Sequence, residues 1–155
     1  MEMQTETICF YHPDEPYGCF SNFSRHVITL KGKRWPTSEH YFQAQKFAGT
    51  LLEEQVRQVA TPGQAAAMGR DRANPLRADW EEVKDDVMRE AVRAKFTQYP
   101  ALKAILLSTG EAILVEHTRK DKYWADGYDG SGQNKLGKIL MEIRHELRQI
   151  TPQRD

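Results

Sequence analysis

The order of elements legible in the chain predicts a helix-rich α+β fold in a single domain, with a small, mainly antiparallel sheet. Three observations carry this. Strand-like runs with period-two apolar residues lie towards both ends of the chain. The centre is filled with helix-capping signals and stripes of period 3.6. Strands and helices are therefore segregated rather than alternating as in a βαβ fold. The length of 155 residues suits one domain with one core. A composition of 39% hydrophobic and 28% charged residues is globular rather than disordered. The expected domain runs over residues 1–150, followed by a frayed tail at 151–155.

The elements follow in order. TICFYHP reads as a short strand, with Ile8, Phe10 and Tyr11 ahead of a proline. DEPYGCFSNFS, broken by Pro16 and Gly18, reads as a loop. HVITLKGKRW predicts a hairpin turning at Lys31-Gly32, with Val27, Ile28 and Leu30 before the turn and Trp35 after it. A helix over about 38–48 opens after Thr37, a residue type that caps helix N-termini. Thr50 to Glu53 and Thr61 to Gln64 both have capping-box spacing, the second with proline at the first helical position. A long helix starts at Asp79-Trp-Glu-Glu82 and reaches about residue 97, its stripe being Trp80, Val83, Val87, Ala91 and Ala94. Pro100 opens another, with Leu102, Ile105 and Leu106 inward. AILVEH at 112–117 is the clearest strand. The last helix spans about Asn134 to Ile150, with Leu136, Ile139, Leu140, Ile143 and Leu147 on one side.

Bulk properties narrow the function. Lys plus Arg and Asp plus Glu both number 22, so no strong field draws the chain to a nucleic-acid duplex or an anionic membrane; a small anionic ligand stays open. No apolar run approaches the roughly 20 residues of a membrane helix, and MEMQTE lacks the basic and apolar regions of a secretion signal. The expectation is a cytoplasmic protein in which Cys9 and Cys19 are free thiols. Five histidines form no H-x-x-x-H pair and no C-x-x-C is present, so neither a metal nor another cofactor is expected. There is no G-x-S-x-G elbow, and GYDGSGQNK lacks both the Walker A ending and the G-x-G-x-x-G spacing.

Three polar clusters remain. In WPTSEHYFQAQKF, residues Glu39, Gln43 and Lys46 share one helical face, while Trp35, Tyr41, Phe42 and Phe47 surround them. Either the aromatics pack inward and the polar stripe is solvated, or the stripe meets a ligand. At about 1.5 Å rise per residue, Glu39 and Lys46 lie roughly 10 Å apart along the axis, room for a sugar. In KDKYWADGYDGSGQN, Trp124 can stack on a flat ring and Asp126 or Asp129 can orient a hydroxyl or water. Gly132 and its neighbours can bring backbone N–H groups to a phosphate at the start of the last helix, near Asn134. The alternative is a solvated turn with Trp124 in the core. In MGRDRANPLR, Arg70, Arg72 and Arg77 either complement a helix end or clamp phosphate. Lys95 in RAKF lies near an apolar stripe, where a lysine can also snorkel to the edge.

Taken together and in this order, FSNF at 20–23, WPTSEHYFQAQKF at 35–47, MGRDR at 68–72, MREAVRAKF at 88–96, LVEHT at 114–118, YWADG at 123–127 and GQNKLGKILMEIR at 132–144 resemble the NADAR family of YbiA-like N-glycosidases. The resemblance covers nearly the whole chain. It implies hydrolysis of the C–N bond between a base and ribose 5-phosphate in early riboflavin biosynthesis intermediates. The alternative branch removes ADP-ribose from guanine bases, and so admits a modified guanine in nucleic acid as partner. On either branch Glu39 is the first candidate for the carboxylate that stabilises positive charge at the anomeric carbon, with Asp126 second. Trp124 and Phe20 would sandwich the base, Asn22 would bond its edge, and Arg70 or the loop at Gly132 and Asn134 would hold the phosphate. Trp35, Phe42, Gln43 and Lys95 complete the expected binding set. Lys46 permits a second route, attack on an opened ribose to form a Schiff base. Two non-catalytic readings compete: a binding module for ADP-ribose or a nucleotide, and an interaction protein whose aromatic helix is core. The oligomeric state is not legible.

Overall fold

A computed structural model describes residues 5–150; the expected tail at 151–155 lies outside them. In chain order the elements are β1 (Thr7–Phe10), the hairpin β2 (Ile28–Leu30) and β3 (Lys33–Trp35), α1 (Ser38–Gln45), α2 (Leu51–Gln58), α3 (Pro62–Arg70), α4 (Trp80–Gln98), α5 (Pro100–Ser108), β4 (Ile113–Glu116) and α6 (Lys135–Ile150). This is a helix-rich α+β chain. The described residues form two compact units, one of residues 5–21 and 99–150, the other Asn22–Gln98.

In the unit Asn22–Gln98, the hairpin pairs Ile28 with Trp35 and Leu30 with Lys33. Lys31 and Gly32 sit at φ 56° and 70°. Positive φ at both central residues is what a type I′ turn needs, and that turn matches the twist of the flanking strands. The Thr61 box forms in full: its hydroxyl accepts the Gln64 N–H at 3.1 Å, and Gln64 accepts the Thr61 N–H at 3.0 Å. The Thr50 box does not form. The Thr50 hydroxyl donates to Phe47 O, and Glu53 accepts from Lys31, Gln45 and the Gly49 N–H instead. A buried carboxylate gains more from an ammonium and two amides than from one helix-end N–H. The helix expected over 38–48 ends at Gln45; Phe47, Ala48 and Thr50 then bond three residues back, and Gly49 turns left-handed at φ 82°. Along α4, the expected stripe residues Trp80, Val87, Ala91 and Ala94 are buried and are joined by Met88, Val92 and Phe96, whereas Val83 is only half-buried.

In the other unit, β1 and β4 pair in parallel, with Thr7 opposite Ile113 and Phe10 opposite Glu116. The sheet is thus two separate pairs, one antiparallel and one parallel. A local alternation marks a strand but does not select its partner, so the parallel pair was not readable from either run alone. α6 packs on β4 and α5 through Leu136, Ile139, Leu140, Ile143 and Leu147. Gly137 is where that helix meets the strand: a Cβ there would lie 2.1 Å from Leu114 O. Cys9 and Cys19 are free thiols. No helix among the described residues is long and apolar enough to cross a membrane.

Candidate active site

α1 answers the question its composition poses, because all eight of its residues are buried. No face is left to water, so the polar stripe needs partners inside the protein. Thr37 caps the helix by accepting the His40 N–H at 3.1 Å. His40 Nε2 donates to Val59 O at 2.9 Å, which leaves Nδ1 to accept the Thr37 hydroxyl at 2.8 Å. Burial holds its pKa below the usual histidine value, consistent with this neutral tautomer.

In the same first turn, Glu39 is only 8% exposed. Its Oε2 accepts Gln43 Nε2 at 2.8 Å. An ionised carboxylate only accepts, so this bond also fixes which way the Gln43 amide points. Gln43 Oε1 then faces away and finds no hydrogen-bond partner among the described residues. Lys46 follows as the helix C-cap; its Nζ lies 5.8 Å from the Phe42 ring centroid and 5.9 Å from that of Trp80, and donates to Gly69 O at 3.3 Å. Burial pushes the Lys46 amine below the usual lysine range. Arg70 and Lys84 push the same way, while Glu39 and Glu81 pull against them. Phe42 meets Trp80 edge to face at 5.2 Å. Arg70 is exposed at the end of α3, whereas Arg77 is engaged by Asp79 at 2.6 and 3.0 Å.

Two members of this cluster were not singled out from the sequence for the site: Trp80, read only as part of a core stripe, and Gly69. The glycine before Arg70 at a helix end was the available signal. A Cβ at Gly69 would lie 1.8 Å from Gln43 Oε1 and 3.1 Å from Lys46 Nζ. Gly69→Ala is therefore expected to displace the Gln43 amide, weaken its hold on Glu39, and destabilise the fold by about 1–3 kcal/mol, the usual cost of overpacking. Urea denaturation checks the stability, and an unchanged midpoint would contradict the close packing.

Other expected site residues of this unit lie deeper. Trp35 is 0% exposed, with its indole N–H bonded to Leu30 O at 2.9 Å and its ring edge to face with Tyr41. It anchors the hairpin in the core and presents no surface to a ligand. The Asn22 amide accepts the Ser38 hydroxyl at 2.9 Å and contacts Met88 Sδ at 3.2 Å, tying its loop to the start of α1. Lys95 is 1% exposed and donates to Ser24 Oγ at 3.1 Å; Ser24 in turn bonds His26. It does not snorkel to the edge.

In the unit of β1 and β4, both Asp126 oxygens are engaged. Oδ2 meets His117 Nδ1 at 2.6 Å, and Oδ1 accepts the N–H groups of Tyr128 at 2.8 Å and Thr118 at 3.2 Å. Burial would raise its pKa, but the His117 bond and the two backbone donors outweigh this and hold it below the usual carboxylate value. What Asp126 offers a ligand therefore passes through His117, a residue the sequence reading did not single out. Its position as the last residue of the clearest strand, AILVEH, was the signal. Trp124 is half-buried and sits edge to face with Tyr123. Phe20 is buried, stacked on Tyr17 and edge to face with Phe10.

The glycine loop does not form the expected phosphate cradle. The N–H groups of residues 132–136 all donate to carbonyls of residues 122–126. Gly132 lets the loop double back, since a Cβ there would lie 2.3 Å from Ala125 O. The Asn134 amide bridges Glu116 N and Leu114 O, both at 3.0 Å, and closes the edge of β4. None of these five backbone N–H groups is left for a phosphate. No group of three or more His, Cys, Asp or Glu among the described residues could hold a metal.

The chain is 55% identical over 145 residues to the N-glycosidase YbiA of Escherichia coli, covering 94% of this chain and 91% of that one. It is 46% identical over 147 residues to an N-glycosidase of Nostoc punctiforme, covering 93% and 94%. It is 45% identical over 147 residues to a riboflavin biosynthesis protein of Vibrio vulnificus, covering 95% of this chain and 40% of that one. The NMR structure of the Escherichia coli protein YbiA superposes with a TM-score of 0.89 at 52% identity, covering 99% of this chain and 92% of that one. The NADAR domain model matches residues 9–148, and on that span the chain belongs to the NADAR domain family.

Proposed function

We propose that the chain is an N-glycosidase that hydrolyses the bond between a nitrogenous base and C1 of ribose 5-phosphate, with Glu39 as the catalytic carboxylate. The C1–N bond breaks, the oxygen of water bonds to C1, and the base departs carrying a proton on its nitrogen. Positive charge develops at C1 as the base leaves, and a carboxylate facing it stabilises that charge and aligns the water. The observation that carries this reading is the buried Glu39, oriented by Gln43 and followed on the same helix by Lys46 among rings. Water is largely excluded here, which strengthens any electrostatic effect. Arg70 is the cation we assign to the 5-phosphate, for which a guanidinium fork is suited. Relatives named N-glycosidases support the reaction, and those named riboflavin biosynthesis proteins support early riboflavin intermediates, aminopyrimidines on ribose 5-phosphate, as the substrate class.

The lowered pKa of Lys46 favours a second route to the same products. The ring opens to an imine between C1 and the base nitrogen, and the neutral Lys46 amine adds to C1. The C1–N bond to the base breaks as the base leaves with the proton on its nitrogen, and water then hydrolyses the lysine imine to release ribose 5-phosphate. The reaction itself is tested by a panel of ribosylaminopyrimidine phosphate and ADP-ribosylated guanosine. Free base and ribose 5-phosphate are expected from the first. Release from the second alone would move the assignment to guanine-linked ADP-ribose, and release from neither would leave a binding module.

A further inference from the structure

Parallel pairing places the carboxyl ends of β1 and β4 side by side, with Phe10 opposite Glu116, so the loops leaving both strands emerge at one end. Ligands of parallel sheets characteristically bind beyond that end. A cavity of about 430 Å³ opens there, lined by Tyr11 and His12 from one loop and by His117, Arg119 and Lys120 from the other, with Tyr128 beside them. The volume falls within the range of small-molecule sites.

Its walls are held in place in an unusual way. Tyr128 adopts φ 75°, a conformation costly for a ring-bearing residue, and is kept there by its N–H bond to Asp126. The ring, half of it exposed, lies 4.4 Å from His117 at an interplanar angle of 25°. The Arg119 guanidinium lies 4.3 Å from the Tyr128 centroid, and Lys120 Nζ lies 5.9 Å from that of Tyr11. Neither cation has a carboxylate partner among the described residues. The one acidic side chain of the lining, Glu15, accepts the His12 N–H at 2.9 Å. His117 Nδ1 is occupied by Asp126, so Nε2 is the nitrogen available to a ligand. The strained tyrosine thus holds an arginine fork over its ring, beside a second cation, an aromatic face and a directed imidazole.

We propose that this cavity binds a ring-bearing phosphate monoester of nucleoside-monophosphate size. Arg119 and Lys120 pair with the phosphate, Tyr11 offers the ring face, and His117 Nε2 bonds the sugar or base. Tyr128 is the positioning residue for Arg119. The inference uses the cavity's own residues and is separable from the N-glycosidase reading: a chain that binds here but cleaves nothing loses that reading and keeps this one, and turnover without binding here does the reverse.

The test is titration of the full chain with 5′-AMP, adenosine, ribose 5-phosphate and inorganic phosphate, by calorimetry and by amide chemical shifts. Saturable AMP binding is expected, with shifts at Tyr11, His117, Arg119, Lys120 and Tyr128, and these shifts persist in Glu39→Gln. Adenosine and inorganic phosphate should each bind at least about tenfold more weakly, a difference of about 1.4 kcal/mol. Ribose 5-phosphate should fall between AMP and inorganic phosphate. Arg119→Gln should weaken AMP about tenfold. Tyr128→Gly removes the ring while relieving the backbone, so it should weaken AMP without lowering the melting temperature. AMP binding no tighter than inorganic phosphate, unaffected by both variants, or not saturable up to about 10 mM would overturn the proposal.

Discussion

Glu39→Gln is expected to lose at least about a hundredfold in base release, the low end for removing a catalytic acid–base group, while remaining folded. The two halves of this expectation have different origins. Gln43 Nε2 donates to Glu39 Oε2 at 2.8 Å, and an amide oxygen at that position can accept the same bond. The side chain keeps its length, so no cavity forms. Removing a buried charge removes its desolvation penalty but also its attraction to the Lys46 ammonium; the two effects oppose each other, so the fold should persist. The negative charge itself is lost, and with it the stabilisation of developing positive charge at C1. The measurement is release of free base from ribosylaminopyrimidine phosphate, alongside a thermal melt. Near-normal turnover in a folded variant would remove Glu39 from the chemistry. A collapse of the melt would instead assign it a structural role.

Lys46→Met is expected to abolish any covalent adduct trapped by borohydride. Methionine keeps much of the apolar stem that lies near Phe42 and Trp80 but cannot form an imine. Only the neutral amine attacks a carbonyl carbon, and burial already pushes Lys46 below the ordinary lysine range. A larger share of the amine is therefore neutral at a given pH than for a solvated lysine, and trapping should increase as pH rises through its pKa. The charge of Glu39 opposes this, so Glu39→Gln should move the onset of trapping to lower pH. An adduct in the wild type and none in Lys46→Met supports the imine route. Full turnover by Lys46→Met, with no adduct in the wild type, leaves hydrolysis assisted by Glu39 alone.

These two expectations rest on a helix whose features were unequally legible. The spacing of Glu39, Gln43 and Lys46 put them on one face, because helical periodicity is a local property. That the face is buried was not readable, since it depends on which elements cover it: α2, α3 and α4 all pack on α1. Capping shows the same division. Thr61 and Gln64 complete their box because both partners lie within one turn. Thr50 and Glu53 have the same spacing, yet Glu53 is claimed by Lys31 and Gln45 from elsewhere in the unit. The glycine loop at 127–134 looked like a phosphate cradle because glycines permit close approach. They do so here, but what approaches is the chain's own carbonyls.

The sequence by itself determined what neighbours along the chain can settle: the hairpin turn at Lys31-Gly32, the apolar stripe of α6, the cap at Thr61, and, through the ordered motifs, membership of the family. Tertiary structure decided what needs a distant partner. It paired β1 with β4 in parallel, set Trp80 and Gly69 beside Lys46, buried Trp35 rather than presenting it, and gave Asp126 to His117. The physical reason is that dihedral preference and periodicity act over one or two turns, whereas burial and hydrogen-bond satisfaction are settled by whichever groups the folded chain brings within about 3 Å.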